Sequence, residues 1–149
     1  MPGQRTSSSS KAVVLQKRNS IRNLTSETVH AIIDHIIENI EWWTDLMKGL
    51  PQRTFENLGE DAMTLAGFTN RLELVAPQLA EVARRAQTEG RLDETWQARA
   101  DQATTFDYGN TIIHVITHSA HHRGQLMYML KKLGVADVIM AQALSWDIG

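Results

Sequence analysis

Four of the six histidines of the chain lie within nine positions, in the stretch HVITHSAHHRGQ at residues 114–125. If this stretch is helical, His118 and His122 place their imidazoles on one face, about one turn apart. Two imidazoles in that arrangement can bind one cation at the roughly 2.0–2.1 Å that zinc–nitrogen bonds require. His114 extends the same row one turn back, whereas His121 points off it. The spacing alone leaves two interpretations open: a metal-binding pair, or polar rings that are satisfied by hydrogen bonds.

A third imidazole is available earlier in the chain. His35 lies among isoleucines at positions 32, 33, 36 and 37. A histidine in the middle of an apolar face is either a core residue with a hydrogen-bond partner or a metal ligand. The H-x-x-x-H pair favours the ligand interpretation, and three histidines would leave one coordination position open, as in catalytic zinc sites. His30 lies five residues before His35 and off its face, so we expect it at the surface or in an interface.

The residue after His118 argues against a metallopeptidase. In the H-E-x-x-H peptidases, the glutamate that directly follows the first histidine acts as the general base. Ser119 occupies that position in this chain. A general base would therefore have to come from elsewhere, for instance from Asp34, from Glu38 or from a bound substrate.

Apolar residues recur at helical spacing in three long stretches, and these must position the histidines. The stretches span about residues 25–48, 61–89 and 109–133. Pro77 is expected to kink the second stretch or to split it in two. Each stretch is followed closely by a glycine suited to ending a helix: Gly49, Gly90 and Gly134.

The remaining segments carry weaker patterns. Residues 11–23 predict a short, weak helix, and residues 91–107 a connector that has room for a short strand. Residues 1–10 are polar and predict a disordered leader, which leaves residues 11–149 as a single domain. Short connections make successive helices neighbours, so the predicted fold is all-α: an antiparallel, up-down four-helix bundle with a short or weak first helix.

The composition excludes several kinds of site. The chain has no cysteine, which rules out disulfides and thiolate metal ligands, so any thiol must come from a cofactor or a substrate. The formal net charge of −2 and the lack of a basic stripe argue against nucleic acid as a partner. No apolar run approaches the roughly 20 residues of a membrane span, so no membrane partner is expected. The default expectation is a cytoplasmic protein.

Two stretches resemble a known family. The segment HVITHSAHHRGQLMYMLKKLGV is similar to the signature helix of the DinB/YfiT-like superfamily, whose typical form is H-x-x-x-H-R-G-Q followed by an apolar run and L-G. The segment DHIIENIEWWTDLMKG resembles the second helix of that family, with a histidine followed by tryptophan. The resemblance covers about residues 26–149. It implies a four-helix bundle that binds a divalent metal through three histidines, here His35, His118 and His122.

The same resemblance implies a range of activities. Characterised relatives include transferases and isomerases that use bacillithiol or mycothiol, as well as proposed metal-dependent hydrolases. Members often form homodimers. The family usually has a full-length first helix, whereas only about 25 residues precede the first strong helix of this chain. Because of this difference, we expect a dimer in preference to a complete monomeric bundle.

The residues next to the histidine pair are expected to support the metal ligands rather than to join them. Gln125 can hydrogen-bond a ligand ring and set its orientation. Arg123 can pair with a carboxylate or clamp an anionic substrate, and Gly124 can allow close approach of another helix. His114 is expected beside the ligands or at the surface. Trp42 and Trp43 are expected mostly in the core, and one of them is expected to line the pocket.

These features favour a divalent-metal-dependent enzyme with a three-histidine site. A bound cation lowers the pKa of a coordinated water or thiol, which supplies a nucleophile at neutral pH. With a low-molecular-weight thiol and an electrophilic substrate, the reaction is S-transfer or isomerisation; with water it is hydrolysis. The alternatives are a non-catalytic, metal-binding, stress-associated bundle and a bundle without metal. Three imidazoles suit Zn, Ni, Fe or Cu and do not distinguish them.

Overall fold

Three long helices make up most of the structure, a computed structural model that describes residues 26–54, 58–97 and 105–138. They are α1 (Ser26–Met47), α2 (Leu65–Thr88) and α3 (Tyr108–Lys132). A 3₁₀ turn (Glu60–Met63) precedes α2, and two short strands, β1 (Thr95–Gln97) and β2 (Thr105–Asp107), precede α3. The prediction of an all-α fold is confirmed, apart from this small hairpin.

The ends of the helices follow from local chemistry. The Oγ1 atom of Thr64 accepts a hydrogen bond from the backbone N–H of Gly67 at 3.0 Å and caps the start of α2. In the same way, Oδ1 of Asp107 accepts from the N–H of Asn110 at 2.7 Å and caps α3. All three helices end just before a glycine with positive φ, as predicted: Gly49 at 68°, Gly90 at 68° and Gly134 at 84°.

The first two helices run side by side in the same direction. Near their N-terminal ends, the ring centroids of His30 and Phe68 are 5.8 Å apart. Further along both helices, Ile40 and Val75 pack together in the core. The chain therefore leaves α1 at one end of this pair and enters α2 at the other end. The antiparallel order predicted for successive helices does not hold for this pair.

The third helix runs antiparallel to the first. The hydroxyl of Tyr108, at the start of α3, donates a hydrogen bond of 3.5 Å to the carbonyl oxygen of Met47, at the end of α1. Towards the other end of the same two helices, the ring of His122 lies against that of His35. The predicted weak helix at residues 11–23 and the predicted leader at residues 1–10 lie outside the described residues.

A small apolar core holds the three helices together. Ile40, Val75 and Val115 are all buried, and each comes from a different helix. Burial of one such side chain contributes about 1.5–3 kcal/mol. Three partly buried residues pack against this core: Ile36, Trp43 and Leu79. This core joins α1 to α3 away from the ends of both helices. Beyond the core, the two helices still face each other, and the histidines lie on these facing turns.

The connector before α3 is a two-stranded antiparallel hairpin in which Trp96 faces Phe106.

Pro77 does not split the second helix, which continues through it. Pro77 has no backbone N–H, so the carbonyl oxygen of Glu73, four residues earlier, loses its helical donor. Both residues are exposed, so water can bind this oxygen. In the described part of the chain, no helix combines the length and the hydropathy that crossing a membrane requires.

Candidate metal site

The structure brings together the three histidines that the sequence singles out. The ring centroids of His118 and His122 are 4.4 Å apart, and those of His35 lie 4.9 Å from His118 and 4.6 Å from His122. One ring nitrogen of each residue lies within 4.8 Å of the other two. Bonds of roughly 2.0–2.1 Å to one tetrahedral cation would place the nitrogens about 3.4 Å apart. Small side-chain rotations would bring all three within reach of a single ion.

A hydrogen bond along α3 fixes one of these rings. The Nδ1 atom of His122 lies 2.8 Å from Oε1 of Gln125. An amide oxygen only accepts, so Nδ1 carries the proton and the lone pair of Nε2 remains for a ligand. The amide nitrogen of Gln125 in turn lies 3.1 Å from Nε2 of His121, to which it donates. Gln125 therefore bridges the two rings, and the ring of His121 packs edge-on against that of His122, with centroids 5.0 Å apart.

The second ring on α3 lacks a hydrogen-bond partner. The Nδ1 atom of His118 is buried, and nothing in the described part of the chain bonds to it. Burial lowers the pKa of His118 below its ordinary value, and the positive charges that His122, His35, His114 and His121 can carry lower it further. A neutral imidazole is the form that binds a metal. The histidine-only donor set and this unpartnered nitrogen both fit a divalent cation.

The remaining histidines lie beside the group. His114 is one turn before His118, with ring centroids 5.6 Å apart, and its ring packs edge-on against Trp43 at 5.4 Å. This places His114 between the group and the aromatic side chains of the hairpin, including Phe106, which also contacts Trp43. His30 is exposed and contacts Phe68 instead, so it lies away from the site, as expected.

Two of the contacts expected for neighbouring residues are not found among the described residues, and one expectation is wrong. Within residues 26–54, 58–97 and 105–138, no carboxylate pairs with Arg123, so its predicted ion pair is not found there. No described atom approaches within 4 Å of a Cβ placed on Gly124, so the expected close helix contact is absent from this part of the chain. Trp43 packs against the core, but Trp42 is 41% exposed and does not. The expectation that both tryptophans are mostly core residues is wrong for Trp42, because its position faces outward on α1.

The two carboxylates considered as bases have different surroundings. Oδ1 of Asp34 accepts a hydrogen bond of 2.6 Å from the guanidinium of Arg71, which also binds Glu41 at 2.7 Å. Asp34 is therefore held in an ion pair, in which it shares Arg71 with Glu41. Glu38 is exposed, and no cation of the described chain lies within ion-pairing distance of it. Of the two groups, Glu38 is the one open to a ligand.

A cavity of about 250 Å³ lies directly beside the histidine group. Its wall contains His35 together with Glu38, Asn39 and Trp42. Asn39 was not singled out from the sequence, although its position four residues after His35 places it on the same helical face. That spacing is the signal that would have identified it.

The comparisons with known proteins agree with this arrangement. The family model described as DinB family matches residues 17–146, which is most of the chain. No curated protein and no solved structure is significantly similar to it. The matched region includes the three helices and all three clustered histidines. The chain belongs to the DinB family.

Proposed function

We propose that this protein is a divalent-metal-dependent enzyme that uses a low-molecular-weight thiol for S-transfer or isomerisation. The observation that carries the proposal is the approach of one nitrogen each from His35, His118 and His122 to within 4.8 Å of one another. Three neutral imidazoles leave the full charge on a divalent cation and one position open to a ligand. The absence of cysteine fits a reaction in which the thiol arrives with the cofactor.

The residues of the chain have distinct roles in this proposal. A divalent cation, when bound, lowers the pKa of a coordinated thiol or water, which makes the nucleophile available at neutral pH. His122 presents Nε2 because Gln125 holds its other nitrogen. The buried surroundings of His118 keep that ring neutral. The cavity beside His35 offers space for an electrophilic substrate.

Elemental analysis of untagged protein tests the metal site. We expect about one equivalent of zinc, nickel, iron or copper per chain. His35→Ala, His118→Ala and His122→Ala should each abolish it, while His30→Ala, a histidine outside the group, should retain it. Unchanged metal content in the first three variants would contradict the site.

Turnover with added thiols and electrophiles, measured metal by metal, tests the reaction. Thiol-dependent product formation supports S-transfer or isomerisation. Hydrolysis without thiol would instead assign the same site to a metal-dependent hydrolase. If metal binds tightly and no turnover of either kind occurs, the protein is a non-catalytic metal-binding bundle.

We also propose a four-helix bundle that forms homodimers. The family match begins at residue 17, which places part of segment 11–23, for which the sequence predicts a weak helix, within the family region. Ile113 and Ile116 on α3 are each 59% exposed, which gives an additional helix or a second copy an apolar surface to cover. Sedimentation equilibrium tests the dimer, and circular dichroism before and after deletion of residues 1–23 tests the additional helix.

A further inference from the structure

The cavity beside the histidine group is lined by one face of α1. His35, Glu38, Asn39 and Trp42 lie at spacings of three, four and seven residues, which places them on one side of the helix. The volume of about 250 Å³ exceeds that of engineered cavities of about 150 Å³ that bind benzene. A small organic molecule therefore fits between His35 and Trp42.

Two residues that line this cavity carry an acceptor for which no described residue supplies a partner: Asn39 and Glu38. Oδ1 of Asn39 is buried, and no described group donates to it. This buried oxygen is closed to water and therefore to a ligand in the cavity, so the accessible acceptor is the exposed Glu38. Glu38 adds a carboxylate that has no cation of the described chain within ion-pairing distance.

The nearest guanidinium groups do not neutralise Glu38. Arg53 and Arg71 line a smaller neighbouring cavity that Glu38 also borders. Both are already bound at 2.6–3.4 Å by carboxylates of α1: Asp34, Glu41 and Asp45. Two cations thus face three anions, and the local charge around Glu38 remains negative. This electrostatic environment attracts a positively charged ligand.

Trp42, which also lines the cavity, favours the same kind of ligand. Trp42 is 41% exposed, and the face of an indole attracts an ammonium group more strongly than other aromatic rings do. A negative carboxylate and an exposed indole together recognise a protonated amine. Neutral and anionic molecules lack the positive charge that these groups attract.

We propose that the cavity binds the ammonium group of a small amine whose other end reaches the metal held by His35. The inference rests on the proposed function for that second contact. Glu38 lies one helical turn from His35 on the same face of α1, so one short ligand can contact both. The ligand class is therefore a short molecule that carries both an amine and a metal-binding atom, such as an aminothiol.

The indole N–H signal of Trp42 in ¹⁵N-labelled protein, assigned with Trp42→Phe, reports binding directly. The probes are cysteamine and 2-mercaptoethanol, which share a thiol and differ in an ammonium in place of a hydroxyl. Both are titrated into zinc-loaded and into metal-free protein. We expect cysteamine to bind about 10-fold more tightly than 2-mercaptoethanol in both forms, because Glu38 acts independently of the metal.

Variants separate this inference from its alternatives. Glu38→Gln should remove the preference for cysteamine, whereas Glu73→Gln, at an exposed glutamate on α2, should preserve it. Equal affinities for the two probes in the metal-free protein, or a preference that survives in Glu38→Gln, would overturn the inference. If the protein takes up no zinc but the metal-free form prefers cysteamine, the ammonium site stands and the metal-dependent function fails.

Discussion

The Nδ1 atom of His122 donates a hydrogen bond of 2.8 Å to Oε1 of Gln125, three residues further along the same helix. This contact ties the orientation of a candidate metal ligand to a side chain that does not itself reach the site. Partners of this kind are worth roughly 10- to 100-fold in metal affinity in other proteins. The relationship between His122 and Gln125 therefore leads to a specific prediction.

We expect Gln125→Ala to weaken metal binding by roughly 10- to 100-fold without unfolding the protein, because the His122 ring loses its fixed tautomer and orientation. Competition with a metal chelator measures the affinity. Gln87→Ala, at an exposed position on α2, is the matched control and should leave the affinity unchanged. An affinity for Gln125→Ala equal to that of the control would mean that the hydrogen bond does not position the ring.

The local part of the site could be predicted from the sequence because helix geometry fixes it. The spacing of His118 and His122 determines that they share a face. The contact of His35 with this pair is long-range. It was inferred from the apolar surroundings of His35 and from a family resemblance, since spacing within one helix carries no information about contacts between helices.

The direction of the second helix could not be predicted in the same way. An amphipathic pattern specifies which face of a helix is buried, but it does not specify which way the helix points. The ion pair of Arg71 with Glu41 was also hidden, because charged residues on a predicted helix are ordinarily assigned to the solvated face. Here both residues are buried, and they join the two helices that run in parallel.

Metal-free protein should lose stability as the solution becomes acidic. The pKa of His118 is lowered by burial first and by the neighbouring histidines second, whereas the unfolded chain keeps the ordinary value of 6.5. Below that value the unfolded chain binds a proton that the folded chain binds only at lower pH. The stabilising contribution is therefore fully present above pH 6.5 and is lost as the pH falls towards the lower, folded pKa.

Urea unfolding at about pH 7.5 and about pH 5.5 measures this dependence. His118→Gln should flatten it, while His30→Gln, at an exposed histidine outside the group, should leave the slope as in the native protein. A native protein as stable at the lower pH as at the higher one would contradict the prediction.

Removal of Arg71 should destabilise the fold. Its guanidinium binds Glu41 at 2.7 Å and 3.1 Å, and both side chains are buried. Arg71→Ala leaves the carboxylate of Glu41 buried with only the longer contact to Arg53 at 3.4 Å. Breaking such a pair costs about 3–5 kcal/mol. Arg84→Ala, which removes an exposed pair with Glu81, should change the free energy of unfolding by no more than about 0.5 kcal/mol.

Denaturant unfolding measures both variants. If Arg71→Ala and Arg84→Ala destabilise equally, the pair formed by Arg71 is solvated and contributes no more than a surface contact. The double variant Arg71→Met with Glu41→Leu should recover part of the lost stability, because it removes the buried carboxylate together with its partner and leaves only the partly exposed Asp34 without Arg71.

Two helical glycines should respond in opposite ways to the same substitution. A Cβ on Gly67 would collide with the backbone carbonyl oxygen of Asp61, whereas nothing in the described chain lies within 4 Å of one on Gly124. Gly67→Ala must displace the 3₁₀ turn from the start of α2 and should cost about 1–3 kcal/mol. Gly124→Ala replaces a poor helix former by the best one and should stabilise the protein by up to about 1 kcal/mol. Thermal unfolding compares the two, and destabilisation by Gly124→Ala would mean that another part of the chain, or a second copy, packs closely against α3 at that position.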